Sequence, residues 1–276
     1  MSNSGLGTQD SGLYLFCLAR SDLLPAIEGT GVDGQNPLSL QIFLDITAVV
    51  GTISLEGFCG PLAESRMQDL SWVGPRACRH EEVVEQAMRH SPVLPVRFGT
   101  IFSSRESLEM RLEKHHGAIS KFLDQVTDKD EWAVKGLLDR ARAKDELLPI
   151  ILARQAGQLA SLSPGVRYFQ EQRMRAGLEK ELNSWLKEVY KEVASVLSHY
   201  ASDFCERRVL SREATGSERE MVLNWAFLVP RGVVADFRAG IDRANEKHAQ
   251  RGLVFELTGP WPPYSFSPSL ETDPES

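Results

Sequence analysis

The stretch DFCERRVLSREATGSEREMVLNWAFLVP, Asp203–Pro230, decides how the second half of the chain folds. Residues 203–213 alternate apolar and polar side chains and read as a strand, and MVLNWAFLVP (221–230) reads as a second. ATGSER between them is rich in turn formers, so the segment reads as a β-hairpin. It sits between two helical patterns. Upstream, Leu178, Leu182, Trp185, Leu186, Val189, Val193, Val196 and Leu197 recur at three- and four-residue spacing, predicting one long helix from Val166 to about Tyr200. Downstream, residues 232–252 predict a helix closed by Gly252. EWAVKGLLD (131–139) reads as a strand and LVFELTG (253–259) as the last strand, with residues 140–163 a helical connection that Pro149 breaks or kinks. The order from Glu131 is β-α-β-β-α-β, the ferredoxin-like split βαβ arrangement.

The first half is also α+β. LYLFCLA (13–19) is a continuous apolar run, as in a strand covered on both faces. LSLQIFLDITAVVGTISL (38–55) breaks near Leu44–Asp45 into a predicted hairpin. Pro61 stands where a first helical turn would begin in residues 60–74. RHEEVVEQAMRH (79–90) predicts an amphipathic helix with Val83, Val84, Ala87 and Met88 on one face. Residues 103–126 predict another, with Leu108, Leu112, Ile119 and Leu123 inward and a capping pair Ser103–Glu106. The expected organisation is a disordered tail over 1–12, an N-terminal α+β domain over 13–126, a ferredoxin-like domain over 131–259 and a Pro/aromatic extension over 260–276.

With 276 residues, 42% of them hydrophobic, the chain has ample material for buried cores. A net charge of −7 argues against general nucleic-acid binding and against anionic membranes. Cys17, Cys59, Cys78 and Cys205 form no C-x-x-C pair, the N-terminus lacks a signal-peptide pattern, and no apolar run is long enough to span a bilayer. A cytoplasmic protein with reduced thiols is expected. Phosphate-binding, nucleophile-elbow and H-E-x-x-H patterns are absent. Cys78 and His80, His115 and His116, and the Glu81, Glu82, Glu85 group read as ordinary helix positions, with the two adjacent histidines on a solvated face. Cys17 and Cys205 read as small buried apolar side chains. Neither an enzyme nor a cofactor or metal site is expected.

Two segments carry more information. In SPVLPVRFGTIFSS (91–104), Pro92 and Pro95 remove ladder donors, so an edge strand is expected. Arg97 and Phe98 precede Gly99, which permits a bend. Two readings stand: an edge strand turning into a helix with Arg97 paired to a carboxylate, or a recognition edge. In LTGPWPPYSF (257–266), prolines impose an extended, stiff backbone. Trp261 and Tyr264 then either clasp the domain or face a partner.

These segments also carry a resemblance. VLPVRFGTIF (93–102), VKGLLD (134–139), SPGVRYFQEQRMR (163–175) and LTGPWPPYSF (257–266), together with GLYLFCLA (12–19), are similar in sequence and order to the gas vesicle protein GvpF/GvpL family. The resemblance implies a two-domain α+β accessory protein of gas vesicles with a ferredoxin-like C-terminal domain. It implies no enzymatic activity and no cofactor. The implied partners are the hydrophobic GvpA-like shell subunit and other gas vesicle accessory proteins, and the implied location is the gas vesicle and cytoplasm. Pro95, Arg97, Phe98, Gly99, Trp261 and Tyr264 are the candidate partner-binding residues. The alternative from another class is a regulatory module that binds a small ligand on ferredoxin-like domains.

Overall fold

The computed structural model describes residues 11–58 and 63–270. The expectations for residues 1–10, Cys59, Pro61 and residues 271–276 lie outside the described residues. By internal packing the chain divides into two compact units. One holds the residues up to Lys129 and those from Trp261 onward; the other is Asp130–Pro260. Both are α+β.

The first unit is built on β1 (Ser11–Arg20). β2 (Leu38–Phe43) and β3 (Ile46–Ser54) form the expected hairpin, with Leu44 at φ +54° in its two-residue turn. After α1 (Ala63–Gln68) and α2 (Leu70–Met88) come β4 (Val93–Pro95), β5 (Ile101–Phe102) and α3 (Arg105–Val126). The sheet order is β2-β3-β1-β4, with β5 pairing β1 beyond β4. Every pairing is antiparallel. β1 lies mid-sheet between buried neighbours, which is why its sequence is a continuous apolar run rather than an alternation. α2 sends Val83, Val84 and Ala87 into a core with Tyr14 and Phe16. α3 buries Leu108, Leu112, Ile119 and Leu123 as its spacing predicted.

Three local expectations change. The helices expected over 60–74 and 79–90 are joined: α2 is capped by Asp69, whose carboxylate accepts from Ser71 N–H at 2.9 Å, and runs through Pro75. There Arg76 stacks on Trp72 at 4.2 Å and its Nη1 donates to the Trp72 carbonyl, so the irregular turn is braced by a side chain. The cap of α3 is one residue later than expected, a reciprocal box between Ser104 and Ser107. His115 and His116 do not share a solvated face. His115 is buried, and His116 Nε2 meets Asp45 at 2.6 Å. Asp45 also pairs with Arg20, which reaches on to Asp124 and the Ser120 carbonyl, so one arginine ties β1 to the hairpin turn and to α3. Those partners, His116 foremost, hold the Asp45 carboxyl below the usual carboxylate range.

The second unit begins with β6 (Lys129–Leu138), followed by α4 (Arg140–Arg154), α5 (Ala156–Ala160) and α6 (Pro164–Ser198). Then come β7 (Asp203–Glu206), α7 (Arg212–Thr215), β8 (Glu220–Pro230), α8 (Val234–His248) and β9 (Leu253–Trp261). The order β7-β8-β6-β9 is the ferredoxin-like one. α6 has 35 residues, and at 1.5 Å per residue is about 50 Å long. Its buried stripe, Leu182, Leu186, Val189, Val193 and Leu197, joins Trp132, Val134, Phe227 and Phe237 in one core.

β7 is shorter than the eleven-residue strand its alternation suggested. Arg207 leaves the alternation to pair with the buried Glu131. Ser211 then caps α7, which closes on Gly216 at φ +63°, so part of the hairpin loop is helical. Cys205 is accordingly half-buried, whereas Cys17 is fully buried. Gly252 ends the α8 region at φ +79°, and its carbonyl accepts from Asp139 N–H at 2.8 Å. A Cβ there would lie 2.8 Å from the Asp139 carbonyl oxygen. Gly252→Ala is therefore expected to cost about 2 kcal/mol or more, as left-handed strain adds to a backbone clash, and a drop in the thermal midpoint of several degrees checks it.

Candidate interaction groove

β1 supports both β4 and β5 along one side, and the chain between them must leave the sheet and return. Val93, Leu94 and Pro95 pair with Ala19, Leu18 and Cys17. Val96 N–H donates to the Phe16 carbonyl at 3.2 Å, and Leu15 N–H to the Thr100 carbonyl at 2.9 Å. Between these anchors Arg97, Phe98 and Gly99 form a turn, closed by Thr100 N–H on the Arg97 carbonyl at 3.2 Å. Gly99 sits at φ +87°, the conformation that explains a glycine here.

A buried hydrogen-bond chain holds this turn. Gly99 N–H donates to the Tyr14 hydroxyl oxygen at 3.0 Å. The Tyr14 hydroxyl lies 2.9 Å from His80 Nδ1, and His80 Nε2 lies 3.1 Å from the Val96 carbonyl oxygen. A carbonyl only accepts, so Nε2 carries the proton and Nδ1 accepts from Tyr14. Phe16 stacks on the imidazole at 5.5 Å, and Phe98 meets it edge-on at 6.0 Å. Burial pushes the His80 pKa down to about 4, opposed in part by the bond to Val96, and pushes the Tyr14 phenol up.

The C-terminal segment forms the opposite wall. Pro262 and Pro263 are buried. The Tyr264 hydroxyl donates to Glu81 at 3.1 Å, and a short 3-10 turn over Tyr264–Phe266 follows. Burial and the adjacent Glu81 carboxylate raise the Tyr264 pKa. Arg111 of α3 donates to the Leu270 carbonyl at 2.6 Å.

Between the turn and this segment lies a groove of about 510 Å³. Leu15, Leu18, Leu94, Leu108 and Leu112 line it, each at most 2% exposed. The register shift in β1 between Leu15 and Cys17 accompanies Leu15 and Leu18 lining the same cavity.

Of the six candidate residues, Pro95, Arg97, Phe98, Gly99 and Tyr264 line this groove. Trp261 does not; it is 37% exposed. Arg97 is exposed, and the expected carboxylate partner is not seen among the described residues. Phe98 is half-buried and packs inward, near Tyr14 at 6.1 Å and Phe58 at 6.4 Å, so its ring anchors the turn. Tyr264 clasps the unit and lines the groove at once. Sequence reasoning missed Tyr14, His80, Arg111 and Leu270. The burial of His80 was legible in part: it precedes Val83, Val84 and Ala87 by three, four and seven residues, so it shares their inward face. No group of three or more His, Cys, Asp or Glu side chains that could hold a metal ion is found among the described residues. No helix among them is long and apolar enough to cross a membrane.

The chain belongs to the family described as gas vesicle synthesis protein GvpL/GvpF, which it matches over residues 12–268. It is 28% identical to gas vesicle protein L of Streptomyces sp. (strain CB03234) over 264 residues, covering 94% of each chain. It is 26% identical to gas vesicle protein L1 of Halobacterium salinarum, covering 95% of this chain and 92% of that one. Its fold is similar to the crystal structure of GvpF from Anabaena sp. PCC7120, with a TM-score of 0.68 at 20% identity over 94% of this chain and 97% of that one. GvpF from Microcystis aeruginosa gives 0.66 at 16% identity, with 94% and 99% covered.

Because His80 is held neutral, acid destabilises the fold through it. Its folded pKa of about 4 is below the unfolded value of 6.5, so between these values the unfolded chain binds the proton and the folded chain does not. Stability falls as pH drops from 6.5 to 4, by at most about 3 kcal/mol from this group, and above 6.5 the effect vanishes. Denaturant unfolding at pH 7 and pH 4 should show that loss in the native chain and a loss smaller by about that amount in His80→Gln.

Proposed function

We propose that this protein is an accessory factor that binds the hydrophobic GvpA-like shell subunit and assists gas vesicle assembly. It acts without enzymatic chemistry and without a cofactor, in the cytoplasm and at the gas vesicle, alongside other gas vesicle accessory proteins. Membership of a gas vesicle synthesis family supports the biological setting. The observation that carries the reading is the convergence of Pro95, Arg97, Phe98, Gly99 and Tyr264 on one leucine-floored groove. An isolated apolar subunit aggregates because its greasy surface seeks burial. A groove with an apolar floor and the exposed cation of Arg97 at its lip suits capture of an apolar side chain or short segment. The turn needs no ordering on binding, because the Tyr14–His80 chain already fixes it.

Co-purification with the shell subunit tests the reading. The native chain is expected to retain the subunit. Arg97→Glu is expected to weaken capture about tenfold, as loss of a rim charge does at protein interfaces, whereas Trp261→Ala, whose ring lies outside the groove, should leave capture near native. Both variants should keep a native thermal midpoint; an unfolded Trp261→Ala would assign that ring to the clasp alone. Removal of the gene should lower vesicle yield. Undiminished vesicle yield, together with a thermal shift caused by a small metabolite, would favour the regulatory alternative.

A further inference from the structure

The chain carries more acidic than basic side chains, 38 aspartates and glutamates against 31 lysines and arginines. The groove inverts that balance. Arg97 and Arg111 line it, and among the described residues no aspartate or glutamate does. Arg111 stands three residues beyond Leu108 and next to Leu112, so one face of α3 sends a cation and two leucines into the same recess. Arg97 enters from the turn between β4 and β5.

Neither cation has a counter-charge. Among the described residues no carboxylate forms an ion pair with Arg97 or Arg111. Arg111 is half-buried, and its guanidinium meets only a neutral acceptor there, the Leu270 carbonyl. A charge drawn partly out of water and given only a neutral acceptor is left short of stabilisation. Glu81 is not part of the lining; it accepts from the Tyr264 hydroxyl. The floor beneath the two arginines is the set of buried leucines, Leu15, Leu18, Leu94, Leu108 and Leu112. Beside such a floor an ion pair is stronger than on open surface, because the local dielectric is lower.

We propose that the groove selects an acidic apolar segment: a short stretch of a partner protein in which leucine, isoleucine or valine side chains flank one aspartate or glutamate. This rests on the groove being the capture site proposed above and adds the chemistry that it recognises. The apolar side chains cover the leucine floor, and the carboxylate supplies the charge that Arg97 and Arg111 lack. An uncharged apolar segment would cover both guanidiniums without pairing them, so it is bound less well, and a basic one is repelled. The rival occupant within this chain is the stretch after Leu270. Its residues, Glu271–Ser276, hold three carboxylates but no leucine, isoleucine or valine, so they match the arginines and not the floor.

The probes are two labelled peptides, acetylated and amidated: glycine-isoleucine-leucine-glutamate-leucine-glycine, and the same sequence with glutamine for glutamate. Each is titrated with the full chain and read by fluorescence anisotropy. At low salt the glutamate peptide is expected to bind about tenfold more tightly, and the preference should shrink as ionic strength rises. Arg111→Gln can still donate to the Leu270 carbonyl but carries no charge. It and Arg97→Gln should each cut the preference about threefold, and the double variant should bind both peptides alike. If a variant does not fold, the salt dependence of the native chain decides. Equal binding of the two peptides at low salt would overturn the charge selection and leave apolar capture standing. A preference that survives in the double variant, a preference indifferent to salt, or binding of neither peptide would overturn the proposal as well. So would a gain of about tenfold on removing Glu271–Ser276, since Arg111 would then belong to that stretch, or displacement of the glutamate peptide by decanoate at lower concentration than by unlabelled peptide, since the occupant would then be a free amphiphile. Acid preference without capture of the shell subunit would uphold this chemistry and remove the shell subunit as its source.

Discussion

The hydrogen-bond chain from Gly99 N–H through the Tyr14 hydroxyl and the His80 imidazole to the Val96 carbonyl organises the candidate groove. Three polar groups are buried in an aromatic shell, and an unpaired one would cost on the order of 1–3 kcal/mol. Each group satisfies the next, and the direction is fixed: the carbonyl requires the imidazole proton on Nε2, which leaves Nδ1 to accept from the phenol. The network has one arrangement, so the turn it holds has one as well. This matters because Pro92 and Pro95 lack the ladder donors that would otherwise secure the backbone before the turn. Side chains of β1 and α2 replace the missing main-chain bonds.

The C-terminal segment obeys a similar logic by another route. Prolines keep it extended without ladder partners, and burial of Pro262 and Pro263 fixes its path. Tyr264 and Leu270 each accept or donate one bond to a helix of the first unit, through Glu81 of α2 and Arg111 of α3. The groove is thus walled by two segments that are remote in sequence and both proline-rich. Stiff walls fit a preformed site, where little ordering opposes binding.

Much of the fold was legible because its signals are local. The continuous apolar run of β1, the break at Leu44–Asp45, and the leucine spacing of α3 and α6 each mark an element through periodicity or turn chemistry. The order of elements after Glu131 was enough to give the ferredoxin-like arrangement. What was misread depends on tertiary partners. Arg207 ends β7 early because Glu131 is waiting for it, and Pro75 is tolerated because Arg76 bonds the Trp72 carbonyl. His115 is buried because α3 covers the sheet. At the site, the motif residues named from sequence did come together, with the exception of Trp261. Tyr14 and His80 stayed hidden, because a single hydrogen bond across 66 residues leaves no trace in spacing.

The account rests on a rigid turn and the C-terminal segment together offering an apolar recess to a greasy partner. Hydrogen–deuterium exchange of the full chain, alone and mixed with the shell subunit held soluble in mild detergent, tests this most directly. The account predicts slowed exchange at Leu94–Phe102 and at Tyr264–Leu270 on mixing, against a 96–100 turn already protected in the free protein. Tight complex formation with both segments exchanging as before, or a turn that exchanges freely in the unbound chain, would contradict it.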